Sequence, residues 1–182
     1  MKALTLSPEQ RRFAKRSMLA TVLVFALGLV WQMWFTQHWM IAFSPTRGLC
    51  LPWRGLIAET SLTQPVVRGD LVWFWIDAPQ IQASSATPLP QFKDGFKFGK
   101  MVAGVAGDSV EVGPNGVFVN GRYWGDLDVV EKLGREPAYY FRREVVPAGH
   151  LFLLGTAPHS FDGRYWGFVP LTRVIGRAEA LL

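Results

Sequence analysis

The strongest pattern along the chain is an apolar window without formal charge: no Asp, Glu, Lys or Arg occurs from Ser17 to Thr46. Inside it, Met18 to Phe35 is almost wholly apolar. A helix of about 20 such residues crosses a bilayer core of about 30 Å. Trp31, Trp34 and Trp39 gather toward its far end, where an interfacial aromatic belt lies. A cleaved signal peptide would have a shorter apolar region closed by a small-x-small site, and none follows Phe35. The pattern predicts an uncleaved transmembrane helix over residues 18–41, preceded by a basic tail over 1–17 and followed by a separate domain over 42–182.

Beyond the window the pattern breaks into short runs. Leu71 to Ile76 is continuously apolar and fits a strand covered on both faces or lying against lipid. Phe98 to Asp108 reads as a second short apolar strand that ends in a Gly-Asp turn. Ser109 to Val112 and Gly116 to Val119 flank Gly113-Pro114-Asn115, and Asn120-Gly121 is a two-residue hairpin signal before Arg122-Tyr123-Trp124. His150 to Leu154 and Arg173 to Ala178 complete the set. Arg68-Gly69-Asp70 reads as a tight turn opening a strand. Asp77 to Gly95, rich in Pro, Ser, Gln and Ala, reads as a mobile loop. The charged stretch 126–143 fits a short helix or an extended excursion, and both remain open. Short strands with frequent Gly and Pro turns predict a mainly β, antiparallel domain, sandwich-like or barrel-like.

Charge sharpens the topology. The net charge of +5 is concentrated at the start, where Lys2, Arg11, Arg12, Lys15 and Arg16 face a single acid, Glu9; the rest is nearly balanced. The positive-inside rule then puts the N-terminus in the cytoplasm and everything after Phe43 outside. With no basic stripe across the fold, nucleic acid is not the expected partner. One cysteine, Cys50, excludes an intramolecular disulfide and a multi-cysteine metal site. Three histidines, His38, His150 and His159, supply a zinc site poorly. No cofactor and no metal is expected. Cys50 has no histidine in a suggestive relation and reads as a small hydrophobe.

Two residues carry candidate chemistry. Lys100 stands in the apolar strand between Gly99 and Met101. An amine taken out of water favours its neutral form, which can act as a base near neutral pH. Ser44 follows the anchor directly, in Phe43-Ser44-Pro45-Thr46-Arg47-Gly48-Leu49-Cys50, where Pro45 and Gly48 impose a turn.

Three stretches together carry a resemblance: Lys100 to Asp108 (Lys-Met-Val-Ala-Gly-Val-Ala-Gly-Asp), Arg68-Gly69-Asp70 before a strand, and Ser160 to Gly167 (Ser-Phe-Asp-Gly-Arg-Tyr-Trp-Gly). With a serine just past an N-terminal anchor, the chain resembles the type I signal peptidase family of serine peptidases from Phe43 onward. Its short length, and Gly48-Leu49 four residues after the serine, look most like the TraF branch, which processes pilin precursors for conjugative transfer. The resemblance implies a signal-peptidase-like antiparallel β domain behind one transmembrane helix, in a bacterial inner membrane with the domain periplasmic. It implies Ser44 as nucleophile and Lys100 as general base. It implies Ser160 as a hydroxyl orienting the amine, and Asp162 with Arg164 as a supporting ion pair. The implied partners are the bilayer, a precursor protein (a pilin or another signal-peptide-bearing chain) and conjugation machinery. The chain departs from the family pattern in Pro45-Thr46 after the serine, in Ala42 where a hydroxyl residue is common, and in Gly155-Thr156 and Gly163. A general signal peptidase and a non-catalytic scaffold of a secretion apparatus are the alternatives.

Overall fold

The computed structural model describes residues 7–43, 50–53 and 55–181. The chain divides into two compact units, Met1–Trp39 and Met40–Leu182. The first is one helix, α1 (Pro8–His38), long and apolar enough to cross a membrane. It begins nine residues before the apolar window, so Arg11, Arg12, Lys15 and Arg16 ride on its first turns. The reason is a capping box. Ser7 Oγ accepts from the Gln10 N–H, the Gln10 side chain accepts from the Ser7 N–H, and Pro8 starts the first turn without needing a partner for a missing N–H. The helix stops at His38, because Trp39 turns to extended backbone at φ −134° and opens β1 (Trp39–Phe43).

The second unit is mainly antiparallel β. One sheet holds β1, β2 (Gly55–Glu59), β3 (Leu71–Trp75), β4 (Lys97–Val105), β9 (His150–Leu154), β10 (Phe168–Pro170) and β11 (Val174–Ala180), in the order β1-β2-β11-β3-β4-β9-β10. The other holds β5 (Ser109–Gly113), β6 (Gly116–Val119), β7 (Arg122–Gly125) and β8 (Arg142–Val145), in the order β7-β6-β5-β8. The continuous apolar run of β3 is explained by two clusters on its two faces. Val72 and Phe74 enter the main core with Val102, Phe152 and Leu153. Leu71 belongs to a smaller core with Leu51, Leu56, Ala58 and Ala178, against which Trp73 packs. The Asn120-Gly121 hairpin joins β6 to β7, with φ 50° and 77° at the two turn residues, the left-handed pair a tight hairpin turn requires.

One connection differs from the expected mobile loop, and one open alternative is resolved. The 77–95 connection is not a free loop. It contains α2 (Ala78–Ala83), capped by Asp77 accepting the Gln80 N–H, and its buried serines are tied down by hydrogen bonds. Ser85 Oγ donates to the Leu133 carbonyl, and the Tyr140 hydroxyl donates to the Ser84 carbonyl. The stretch 126–143 holds both structures left open: α3 (Val130–Leu133), a 3-10 turn over Pro137–Tyr140, then β8.

Asp108 ties three turns together. Its carboxylate accepts Arg68 Nε at 2.6 Å and Nη2 at 2.5 Å, the Val105 N–H at 2.8 Å and Asn120 Nδ2 at 2.9 Å. The Arg68 hydrogen bonds, against an upward push from burial and with help from Val105 and Asn120, hold the carboxyl down at about 2. A pKa depressed on folding adds stability above the unfolded value near 4, and that stability is lost as pH falls toward 2. Arg68 is 56% exposed, so solvent screens the pair. Asp108→Asn is expected to cost about 1 kcal/mol at pH 7 and to flatten the acid limb of stability between about pH 4 and 2. Urea unfolding of the full chain in detergent across that range checks it; superimposable pH curves for the two proteins would refute it.

Candidate active site

Lys100 lies on β4, an interior strand flanked by β3 and β9, opposite Val72. It is fully buried, at 0% exposure. Nζ donates to Ser160 Oγ at 2.8 Å and stands 5.5 Å from the centre of the Phe98 ring. No ion pair reaches this amine among the described residues. Among the described residues the amine has one hydroxyl partner and no counter-charge, a place that an ordinary structural lysine avoids.

Ser160 sits in the irregular connection from β9 to α4 (Gly163–Trp166), also at 0% exposure. Irregular backbone needs external fixing, and Asp162 supplies it. One carboxylate oxygen accepts the Arg164 N–H at 3.1 Å and so caps α4; the other reaches back to the Gly155 N–H at 2.8 Å. The loop bearing Ser160 is thereby closed at both ends by one carboxylate. Arg164 grips the same carboxylate twice, Nε at 2.9 Å and Nη2 at 2.8 Å, with both residues buried. Burial works against the Arg164 charge, but the Asp162 hydrogen bonds and charge outweigh it and hold its pKa above the ordinary value. The guanidinium also donates to the Asp126 carbonyl at 3.0 Å, reaching beyond the loop. From the second sheet, Arg142 donates to the carbonyls of Gly163 at 2.6 Å and Arg164 at 3.1 Å. The Tyr165 hydroxyl accepts the Val129 N–H, and burial pushes its pKa up to about 12.

Gly155 is required by close approach. A Cβ there would collide with Ser160 Oγ and come within 2.6 Å of the Cys50 carbonyl oxygen. That carbonyl accepts the Thr156 N–H at 2.9 Å and the Ala157 N–H at 3.3 Å, so Cys50 contributes its backbone to the loop. Gly155→Ala is expected to displace Ser160 and lower turnover of a cleavable precursor by about 10²-fold, the scale of an ångström-sized misplacement. Steady-state kinetics on the full chain test this, and wild-type kcat would refute it.

Of the residues singled out in the sequence, Lys100, Ser160, Asp162 and Arg164 converge in one buried constellation. Ser44 lies outside the described residues. His159 is exposed on the loop surface. Sequence reasoning missed Arg142 and the Cys50 carbonyl. No residue-type signal marks a backbone acceptor, and an arginine in a charged stretch reads as solvated.

A family model described as signal peptidase, peptidase S26, matches residues 11–182. A Synechocystis sp. protein named "Probable signal peptidase I-2" is 32% identical over 112 residues, which are 61% of this chain and 45% of that protein. The aligned region thus spans less than half of that relative's length. A crystal structure of a signal peptidase I from Enterococcus faecalis V583 aligns over 64% of this chain and 98% of that chain, at 24% identity and a TM-score of 0.37.

Proposed function

Because the chain belongs to the signal peptidase family, peptidase S26, we propose that it is a membrane-anchored serine endopeptidase with Ser44 as nucleophile and Lys100 as general base. The observation that carries this reading is the buried Lys100 amine hydrogen-bonded to Ser160 without a counter-charge among the described residues. In the proposed reaction the neutral Lys100 Nζ takes the Ser44 hydroxyl proton as Oγ attacks the carbonyl carbon of the scissile peptide. The oxyanion is stabilised by backbone N–H groups, that of Ser44 among them. Collapse breaks the C–N bond, and the leaving amine takes the proton from Lys100. The acyl group remains on Ser44 as an ester. Water gives a proton to the same amine as it attacks the ester carbonyl; collapse breaks the bond to Ser44 Oγ, which recovers the proton from Lys100, and the released acid ionises to a carboxylate. Ser160 holds one side of the amine so that its lone pair keeps a fixed direction, while Asp162 and Arg164 hold Ser160.

The substrate is a precursor held in the same membrane by its own apolar segment, and α1 supplies the matching anchor. The basic residues of α1 support a cytoplasmic N-terminus and a periplasmic β unit; protease added outside spheroplasts should then degrade the β unit. Within that class, Ser44 followed by Gly48-Leu49 supports a dedicated conjugative pilin precursor and partners in conjugation machinery. Similarity to a protein named as a signal peptidase I supports a broad set of signal-peptide-bearing precursors instead. Depletion separates them, since a dedicated enzyme leaves one precursor accumulating and a general one leaves many. A mature product one water lighter than the linear chain would indicate ring closure by an amine.

A serine-directed acylating probe tests the chemistry itself. Labelling at Ser44 is expected in the wild-type protein and is expected to vanish in Ser44→Ala and Lys100→Ala. A folded wild-type protein that takes no label would favour a scaffold role.

A further inference from the structure

Phe92 belongs to the 77–95 connection, yet its ring lies against the neighbours of both members of the buried pair. The Phe161 ring, next after Ser160, stacks on it with centroids 5.6 Å apart and planes at 26°. The Phe98 ring, two residues before Lys100 on the same strand, meets it edge to face at 5.3 Å and 81°. Residues two apart on a strand share a face, and Lys100 Nζ is 5.5 Å from the Phe98 centroid. The three rings therefore form a continuous bridge from the base-bearing strand to the loop bearing Ser160. Phe98 continues it to Phe74 at 6.2 Å, and Phe161 to Tyr165 of α4 at 5.8 Å.

The segment that delivers Phe92 is itself anchored. Its base is closed by the Ile76 N–H donating to the Phe96 carbonyl at 3.0 Å. The Phe92 N–H donates to Leu89, and the Leu89 N–H donates to Gln82 Oε1 at 2.9 Å. Gln80 of α2 donates to the carbonyls of Trp166 at 2.6 Å and Phe168 at 3.1 Å, which fastens α2 beside α4. Phe92 is half-buried, with its neighbours Lys93 and Gln91 exposed. Deleting its ring would open a path from solvent toward the pair, not leave a sealed apolar void.

We infer that Phe92 is a positioning residue for the Lys100–Ser160 pair: its ring fixes Phe98 and Phe161 relative to each other and keeps water from the amine. The inference deepens the peptidase reading and rests on it for its kinetic consequence alone.

The test uses the full chain in detergent with Phe92→Ala and Phe92→Tyr. The first readout needs no peptidase activity. A limiting amine-acylating reagent is applied, and modification at Lys100 is quantified by mass spectrometry against Lys132, which is exposed. Lys100 is expected to be protected in the wild type and in Phe92→Tyr, and its modification to rise about tenfold in Phe92→Ala. An unchanged Lys100 signal in folded Phe92→Ala overturns the inference. Should the alanine variant not accumulate as folded protein, Phe92→Leu carries the same test with a rise of about threefold, since it keeps bulk and loses the planar ring.

The second readout is a double-mutant cycle on precursor cleavage. Phe92→Ala is expected to lower kcat about tenfold with KM changed less than about threefold, and to cost less than about twofold in a Ser160→Ala background. Equal cost in both backgrounds would assign Phe92 a general packing role and overturn the inference. A wild-type protein that cleaves no precursor would overturn the peptidase reading while the labelling result still decides the role of Phe92.

Discussion

Lys100→Met is expected to lower precursor cleavage by at least about 10³-fold while the β unit stays folded. The serine hydroxyl is a weak nucleophile until a neighbouring base takes its proton, and positioned general bases are worth about 10² to 10⁴ in rate. Groups that act as one unit lose more than that when one is removed. The fold should tolerate the change because methionine is unbranched, apolar and adaptable, and the slot on β4 is lined by the main core around Val102 and Phe98. Two opposing effects set the stability. Removing an amine at 0% exposure relieves its desolvation, while Ser160 Oγ loses its donor at 2.8 Å. An orphaned buried hydroxyl costs about 1–3 kcal/mol, so the net change is expected to stay within about 2 kcal/mol. Lys100→Arg separates a base from a mere polar contact. A guanidinium stays protonated throughout the accessible pH range and cannot take a proton, so this variant is expected to be as inactive as the methionine one. Cleavage assayed beside thermal unfolding decides the matter. Activity above about a tenth of wild type in either folded variant would remove Lys100 from the chemistry.

The contrast between what was legible in the sequence and what was not follows from range. The long apolar helix was readable because a charge-free run needs no partner to be apolar, and α1 covers that run as far as His38. The Asn120-Gly121 turn was readable because positive φ at two consecutive positions selects those residues directly. The 77–95 connection was not readable. A six-residue helix such as α2 is too short for a period to emerge. Its order comes from distant partners instead, with Gln80 on Trp166 and Phe168, Ser85 on Leu133 and Phe92 on Phe161. A polar, proline-containing string looks the same whether its hydrogen bonds go to water or to carbonyls 48 to 88 residues away. The same reason hid Arg142, whose partners include backbone carbonyls of α4 about 20 residues away. At the candidate site, Lys100 stood out as an amine in an apolar strand, and Ser160, Asp162 and Arg164 through the resemblance that their motif carries. Gly155 entered the sequence reading only as the opening of a motif, and the steric demand it meets becomes visible only once Ser160 and Cys50 crowd it.

Arg164→Ala is expected to destabilise the β unit by about 3–5 kcal/mol, the scale of a buried ion pair broken from one side. The magnitude follows from what would remain. Asp162 is at 0% exposure and accepts from the Gly155 and Arg164 N–H groups as well as from the Arg164 side chain. Without the guanidinium it keeps, among the described residues, the two backbone donors for a charge far from water. Asp126, Ala157 and Pro158 would also lose the donor their carbonyls share. Asp162→Ala is expected to cost a similar amount from the other side, leaving a buried cation against carbonyls alone. The double variant Asp162→Ala with Arg164→Ala is then expected to be less destabilised than the sum of the two, by at least about 2 kcal/mol, because neither charge is stranded. Cleavage adds a second signature. Both single variants release the Gly155–Asp162 latch or its support, so Ser160 loses its fixed place beside Lys100 and kcat falls even below the unfolding temperature. Chemical unfolding followed by tryptophan fluorescence in detergent measures the cycle. Strict additivity of the two substitutions would mean that the pair does not act as a unit, and the loop bearing Ser160 would need another explanation for its order.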